Sequence, residues 1–129
     1  MKDIKIVCGS NWGDEGKGLM TDYFSQKPNS IVVCSNGGAQ RGHTVTTPDG
    51  IRHVFHHFGS GTFNNASTYL SEDFIVNPII FKQEYDELIK LGYIPNVYIN
   101  QNCMLTTPFD MMANQIIEEN RGKNKHGSC

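Results

Sequence analysis

Apolar positions along the chain switch between a period of two and a helical period, and the switches outline a succession of strands, loops and helices. Ile4-Lys5-Ile6-Val7-Cys8 is a short β-branched run stopped by Gly9, which predicts a buried strand. Leu19, Met20, Tyr23 and Phe24 then recur at helical spacing, predicting a helix that starts near Glu15 and ends by Pro28. Ile31-Val32-Val33-Cys34 predicts a second buried strand. Strand, loop, helix, strand in this order is a βαβ unit, which requires parallel pairing and a right-handed crossover.

Further on, His43 to Thr47 and Ile51 to His57 flank Pro48-Asp49-Gly50, the pattern of a β-hairpin with a tight turn. Alternation puts His53 and His57 on one face of it and His56 on the other, as packed or surface residues rather than metal ligands. Asn77-Pro78 is a helix start, with Asn77 as N-cap, an apolar face of Ile79, Ile80, Leu88, Ile89 and Leu91, and Gly92 as the stop. Asn96 to Ile99 predicts another strand. Thr107, Pro108 and Asp110 open a last helix, along which Phe109, Met112, Ala113, Ile116 and Ile117 form an apolar stripe. Met111 and Met112 read as core. The expected fold class is α/β: a P-loop-like βαβ core with a mostly parallel sheet and a β-hairpin, forming part of a larger α/β domain. After Asn120 the chain turns polar and stops without a closing element, so residues 1–129 read as one truncated unit.

Composition narrows the function classes. The formal net charge is -2, which gives no bulk attraction to nucleic acid or anionic membrane. No basic patch with interleaved aromatics is present, and no apolar run is long enough for a helical membrane span. The apolar stretch at the start is too short for a secretory signal, so a cytoplasmic location is expected. Cys8, Cys34, Cys103 and Cys129 form no Cys-x-x-Cys pair and read as reduced thiols packed like small apolar residues.

The chemistry-bearing segment runs from Gly9 to Leu19. Glycines at 9, 13, 16 and 18 let backbone N–H groups approach an anion closely, and the helix that follows adds its positive end. Lys17 brings a cation within reach of phosphate oxygens. The standard P-loop pattern fails at Asn11, where glycine is expected, and at Gly18, where a magnesium-binding hydroxyl is expected. Asp14 is the obvious replacement, since Mg²⁺ takes carboxylate, carbonyl and phosphate oxygens. The bland alternative is a glycine-rich turn with surface charges. Trp12 reads as a packed loop anchor. A second glycine-rich loop, Ser35 to Gly42, follows the second strand at the position where open α/β sheets bind ligands.

Asn11-Trp12-Gly13-Asp14-Glu15-Gly16-Lys17-Gly18 and Gly37-Gly38-x-x-x-Gly42-His43-Thr44 occur together and in order. This pairing resembles the N-terminal portion of the adenylosuccinate synthetase family, and the likeness includes the Phe58-Gly59-Ser60-Gly61 turn and the helix at Pro78. The resemblance implies GTP-dependent ligation of L-aspartate to IMP, through 6-phosphoryl-IMP, giving adenylosuccinate in AMP biosynthesis. It implies Asp14, Lys17 and His43 as catalytic residues, with Asp14 as base and His43 as acid. It implies Mg²⁺ held by Asp14 and the Gly42 carbonyl. GTP contacts would come from Gly13, Asp14, Glu15, Gly16, Lys17, Gly18, Leu19, Gly42, His43 and Thr44. IMP contacts would come from Asp14, Glu15, Gly16, Lys17, Gln40, Arg41, Gly42, His43 and Cys129. A homodimer is implied for the full-length protein.

Departures from the family pattern are also visible. Leu19 stands where lysine is usual, Gln40 replaces an asparagine, and Arg41 replaces a small residue and could meet an extra anionic group. Gly127-Ser128-Cys129 falls where the family has Gly-Thr-Thr, so Cys129 lacks a good donor. Two other readings stand beside the first: a related ligase with a different purine acceptor, and an inactive nucleotide-binding remnant. Retention of Asp14 favours hypoxanthine as the acceptor base.

Overall fold

The structure, a computed structural model, describes residues 3–124; Gly127, Ser128 and the Cys129 contact expected for IMP lie outside the described residues. Helix α1 spans Lys17–Phe24, and strand β1 Ile31–Cys34. A hairpin of β2, His43–Thr46, and β3, Arg52–Phe55, follows, then a 3-10 turn at Ser60–Asn64. Next come β4, Ser67–Leu70, and β5, Ile75–Val76, then α2, Pro78–Lys90. β6, Val97–Ile99, and β7, Met104–Leu105, lead to α3, Pro108–Arg121.

Strands β1, β4 and β6 form a parallel three-stranded sheet with β4 in the middle. β5 and β7 pair in parallel, and β2 and β3 pair antiparallel with His43 opposite Phe55. The α/β class with a mostly parallel sheet and a hairpin is thus observed. The βαβ unit, however, is β4–α2–β6 and not the segment before Gly9. Residues 4–8 form no strand, and Ile4 and Ile6 stand exposed. Composition alone cannot make a strand: without a ladder partner, an extended run leaves its backbone to solvent.

Local signals place the helices well. The Asn77 side chain accepts hydrogen bonds from the Ile79 and Ile80 amides at 3.1 and 3.2 Å, with Pro78 at the first helical position. Thr107 and Asp110 form the reciprocal capping box that opens α3. Gly50, at φ +90°, supplies the left-handed turn of the hairpin.

The faces these helices bury differ from the apolar stripes. On α2 the inward row is Glu84 and Leu88, buried, with Phe81 and Tyr85 partly buried beside them, while Ile79, Ile89 and the C-cap Leu91 are exposed. α1 buries Gly18, with Ser25 buried at its C-cap, and leaves Leu19, Met20, Tyr23 and Phe24 outside. Along α3 the stripe of Phe109, Met112, Ile116 and Ile117 is exposed, so Met112 is not core. Two joined clusters make the core. Cys34, Leu70, Phe74 and Val76 form one; Val45, Phe55, Phe58 and Leu88 form the other, and Phe81 and Val97 pack on both. Cys34 is buried as expected of a small apolar residue, whereas Cys8 is exposed.

Candidate functional site

The two glycine-rich loops meet in a cleft of about 240 Å³ lined by Asp14, Glu15, Gly16, Lys17, Gly18, Gly42, His43 and Thr44. Their approach depends on Gly18, because a Cβ there would stand 2.9 Å from the His43 Cβ. Of the expected site residues, Gly13, Leu19, Gln40 and Arg41 are outside this lining. Leu19 points to solvent, as does Trp12, which anchors nothing among the described residues.

In the first loop the backbone turns left-handed repeatedly: Gly13 at φ +130°, Asp14 at +55° and Gly16 at +73°. The left-handed region costs a side-chain-bearing residue about 1 kcal/mol, and aspartate tolerates it better than most. Glu15 folds back across the loop. Its carboxylate accepts the Asn11 amide at 2.9 Å, pairs with the Lys17 ammonium, and lies where a Gly9 Cβ would be. The Lys17 contact and the Asn11 amide hold the Glu15 carboxyl below its usual range. Lys17 therefore has an internal partner, and an anion entering the cleft would compete with the Glu15 carboxylate for its donors.

The second loop is fastened to the core. Gly37 accepts the Ile75 amide at 2.8 Å, and Gly38 accepts the Arg41 amide at 3.0 Å. A Cβ on Gly38 would strike the Ile75 carbonyl at 2.9 Å. Arg41 donates from Nε to the His56 carbonyl at 2.9 Å and from Nη2 to the Phe58 carbonyl at 3.3 Å. His43 is half-buried. Burial, with Arg41 and Lys17 nearby, pushes its imidazole down to about 4. The ring is thus neutral at pH 7, which differs from a histidine poised near its ordinary value. An anion in the cleft would offset both cations and raise it.

A second polar centre lies beneath the loops. Glu84 is buried and accepts the amides of His56, His57 and Phe58 at 2.8, 2.7 and 3.4 Å. His53 Nε2 and His57 Nδ1 face it at 3.6 and 3.5 Å, as the predicted sharing of one face requires. His57 Nε2 accepts the Asn77 amide at 3.0 Å, which leaves the ring proton on Nδ1, toward Glu84. Burial alone would raise the Glu84 carboxyl. The amide hydrogen bonds, together with the His53 and His57 rings that face the carboxylate without reaching hydrogen-bond geometry, outweigh it and hold the group at about 2. Glu84 escapes an apolar-pattern search because it is charged. Its signal is the row Phe81, Glu84, Tyr85 and Leu88, spaced i, i+3, i+4 and i+7.

No group of three or more His, Cys, Asp or Glu is gathered to hold a metal among the described residues. Asp14 and Gly42 both line the cleft, and a carboxylate and a backbone carbonyl are hard oxygen donors. That pair suits a Mg²⁺ ion whose remaining ligands are phosphate and water oxygens.

Fold and cleft define an open, mostly parallel α/β chain whose paired glycine-rich loops form a site suited to a phosphorylated ligand. The profile of the adenylosuccinate synthetase family matches residues 6–129, and the chain belongs to that family. Adenylosuccinate synthetase from Synechocystis sp. is 34% identical over 95% of the chain, and that from Christiangramia forsetii is 34% identical over 97%. The chain spans only 28% and 30% of the length of these two relatives. Among solved structures, fully ligated adenylosuccinate synthetase from Plasmodium falciparum superposes with TM-score 0.75 at 24% identity, over 89% of this chain and 27% of that one. Succinoaminodeoxyadenylate synthetase of cyanophage S-2L, bound to dGMP and dATP, gives 0.63 at 20% identity, over 88% and 30%. These two likenesses bear on the fold.

Proposed function

We propose that the chain is the phosphate-handling part of a GTP-dependent ligase that joins L-aspartate to IMP. The observation that carries this reading is the convergence of Asp14, Lys17, Gly42 and His43 on one cleft in a chain of this family. Glu15, Gly16, Gly18 and Thr44 complete the phosphate cradle, with Gly13 and Leu19 flanking it, and Gln40, which lies outside the cleft lining, would contact the purine nucleotide only after turning from Gly38. A cytoplasmic location and a homodimer follow from the same family reading.

The residues divide the work as follows. Asp14 accepts the N1 proton of the purine, which makes O6 nucleophilic. O6 attacks the γ-phosphorus of GTP; the bond to the β-phosphate oxygen breaks and GDP departs. Lys17 leaves Glu15 to hold the phosphate oxygens during transfer. His43, charged once phosphate offsets Arg41 and Lys17, donates a hydrogen bond or proton to the transferring oxygen. The aspartate amine then attacks C6, phosphate leaves, and the amine proton is lost. Asp14 and the Gly42 carbonyl would hold Mg²⁺, which would supply charge neutralisation on the phosphates.

Calorimetric titration of the 129-residue chain with GTP tests the reading. Magnesium-dependent binding that is lost in Asp14→Asn supports it; no binding at millimolar GTP sinks it. Competition by IMP against dGMP identifies the acceptor.

A further inference from the structure

We propose that Arg41 is a positioning residue: it ties the second glycine-rich loop to the strap of residues 56–58 and so sets where Gly42 and His43 stand in the cleft. This inference rests on the ligase reading only for what the cleft binds. The strut itself is independent of it.

The strap is held from two sides by complementary groups. Its three amides, from His56, His57 and Phe58, go to Glu84 on α2. Its carbonyls at His56 and Phe58 accept from Arg41. In return, His56 Nδ1 pairs with the Arg41 carbonyl, so the arginine is fixed through both side chain and backbone. The guanidinium also lies 5.1 Å from the Phe74 ring centroid, against a fully buried aromatic. A buried helical carboxylate is thereby connected through three residues of strap to the residue just before Gly42. Two carbonyls and a ring face engage a guanidinium whose charge alone would suggest an anion contact. A flexible or free arginine would carry none of these bonds, and this side of the loop would lose its side-chain tether, leaving the bonds at its start: Ser71 Oγ to the Ser35 carbonyl and the Ile75 amide to the Gly37 carbonyl.

The strut predicts a local change in the ligand-free chain. Amide hydrogen exchange, read by NMR, is measured in the wild-type chain, Arg41→Met and Arg41→Lys. Methionine keeps an aliphatic stem against Phe74 and removes every donor; lysine keeps one donor for one carbonyl. Arg41→Met is expected to speed exchange at residues 42–44 by about tenfold while Leu88 keeps its protection, with Arg41→Lys falling between. Exchange unchanged at residues 42–44 in a folded Arg41→Met chain overturns the proposal. Should Arg41→Met fail to fold, Arg41→Lys decides: intermediate exchange supports the strut and wild-type exchange overturns it.

Titration with GTP and Mg²⁺ supplies the second readout. Positioning predicts that affinity falls in Arg41→Met and is partly rescued in Arg41→Lys, in step with exchange. Weakened binding with unaltered exchange would mean that Arg41 touches the ligand directly, and overturns positioning. If the wild-type chain binds no GTP, the ligase reading fails and exchange alone judges the strut.

Discussion

The two glycine-rich loops solve opposite problems. The first carries the charged groups, Asp14, Glu15 and Lys17, on a segment whose preceding residues are exposed and form no ladder. Its internal order comes from Glu15 alone among its side chains, through Asn11 and Lys17. The second is bonded to β5, to the strap and, through the strap, to α2. One loop is thus free to exchange partners, and the other is a fixed wall. If Lys17 shifts from Glu15 to an anion in the cleft, this division lets the charge close against a surface already in place.

The largest effect should come from removing the wall's anchor. Glu84→Ala leaves three strap amides without an acceptor and is expected to lower unfolding stability by on the order of 3–5 kcal/mol, measured by urea denaturation. Glu84→Gln, which keeps an acceptor oxygen, should lose less. The carboxyl is lowered from its ordinary 4.5 to about 2 in the folded chain, so the unfolded chain binds more protons between those values. Its stabilisation is full above about 4.5 and is lost as pH falls through about 2; it is worth on the order of 3 kcal/mol. Acid denaturation that is identical in wild type and Glu84→Gln would break the contrast between the loops.

A smaller effect is expected where the loops touch. Gly18→Ala sets a methyl 2.9 Å from the His43 Cβ and must push the first loop away from the second. The strain is about 1–3 kcal/mol, and GTP affinity should fall while the hairpin's own exchange protection persists. If instead the hairpin loosens and the first loop keeps its place, the assignment of mobile and fixed partners is reversed.

What the sequence reveals of this arrangement follows a physical line. Caps and turns are local, so Asn77, the Thr107 capping box and the Pro48-Asp49-Gly50 turn are legible one residue at a time. The glycine words are legible for the same reason, and both loops do line one cleft. Strand β4 is harder to see: Ser67-Thr68-Tyr69-Leu70 is half polar, and it becomes the central strand only because β1 and β6 pair on both its edges. Segment 4–8 errs the other way, with ideal composition and no partner. Glu84 is legible only as a charged member of the Phe81–Leu88 row, because its burial is set by amides 26–28 residues away in the chain. Helices α1 and α3 also present their apolar stripes to solvent, while α2 buries Leu88 of its expected face but exposes Ile79 and Ile89, so periodicity locates the helices better than their inward faces.

His43 tests the wall from the ligand side. In the free chain its imidazole sits at about 4, held down by burial, Arg41 and Lys17. The unfolded chain therefore takes up the proton first as pH falls from 6.5, and His43 protonation disfavours the fold between there and about 4. Saturating triphosphate should raise the value toward or above 6.5, followed by the histidine ring proton shifts in NMR. A value that ignores triphosphate would show that the anion does not reach the second loop.

The smallest effect concerns the charge that moves. Glu15→Gln keeps an acceptor for the Asn11 amide and removes the anion that pairs with Lys17. Lys17 is about a third exposed while Glu15 is mostly covered, so solvent and salt screen the pair in part; phosphate affinity should rise only about threefold, and less at high ionic strength. The change should be confined to the first loop: exchange at Gly42 and His43 stays as in wild type, because the fixed wall takes nothing from Glu15. Tighter binding that is accompanied by loosening of Gly42 and His43 would show that the loops are coupled and not divided into mover and wall. Weaker binding would show that Glu15 holds Lys17 in its binding position and does not compete for it.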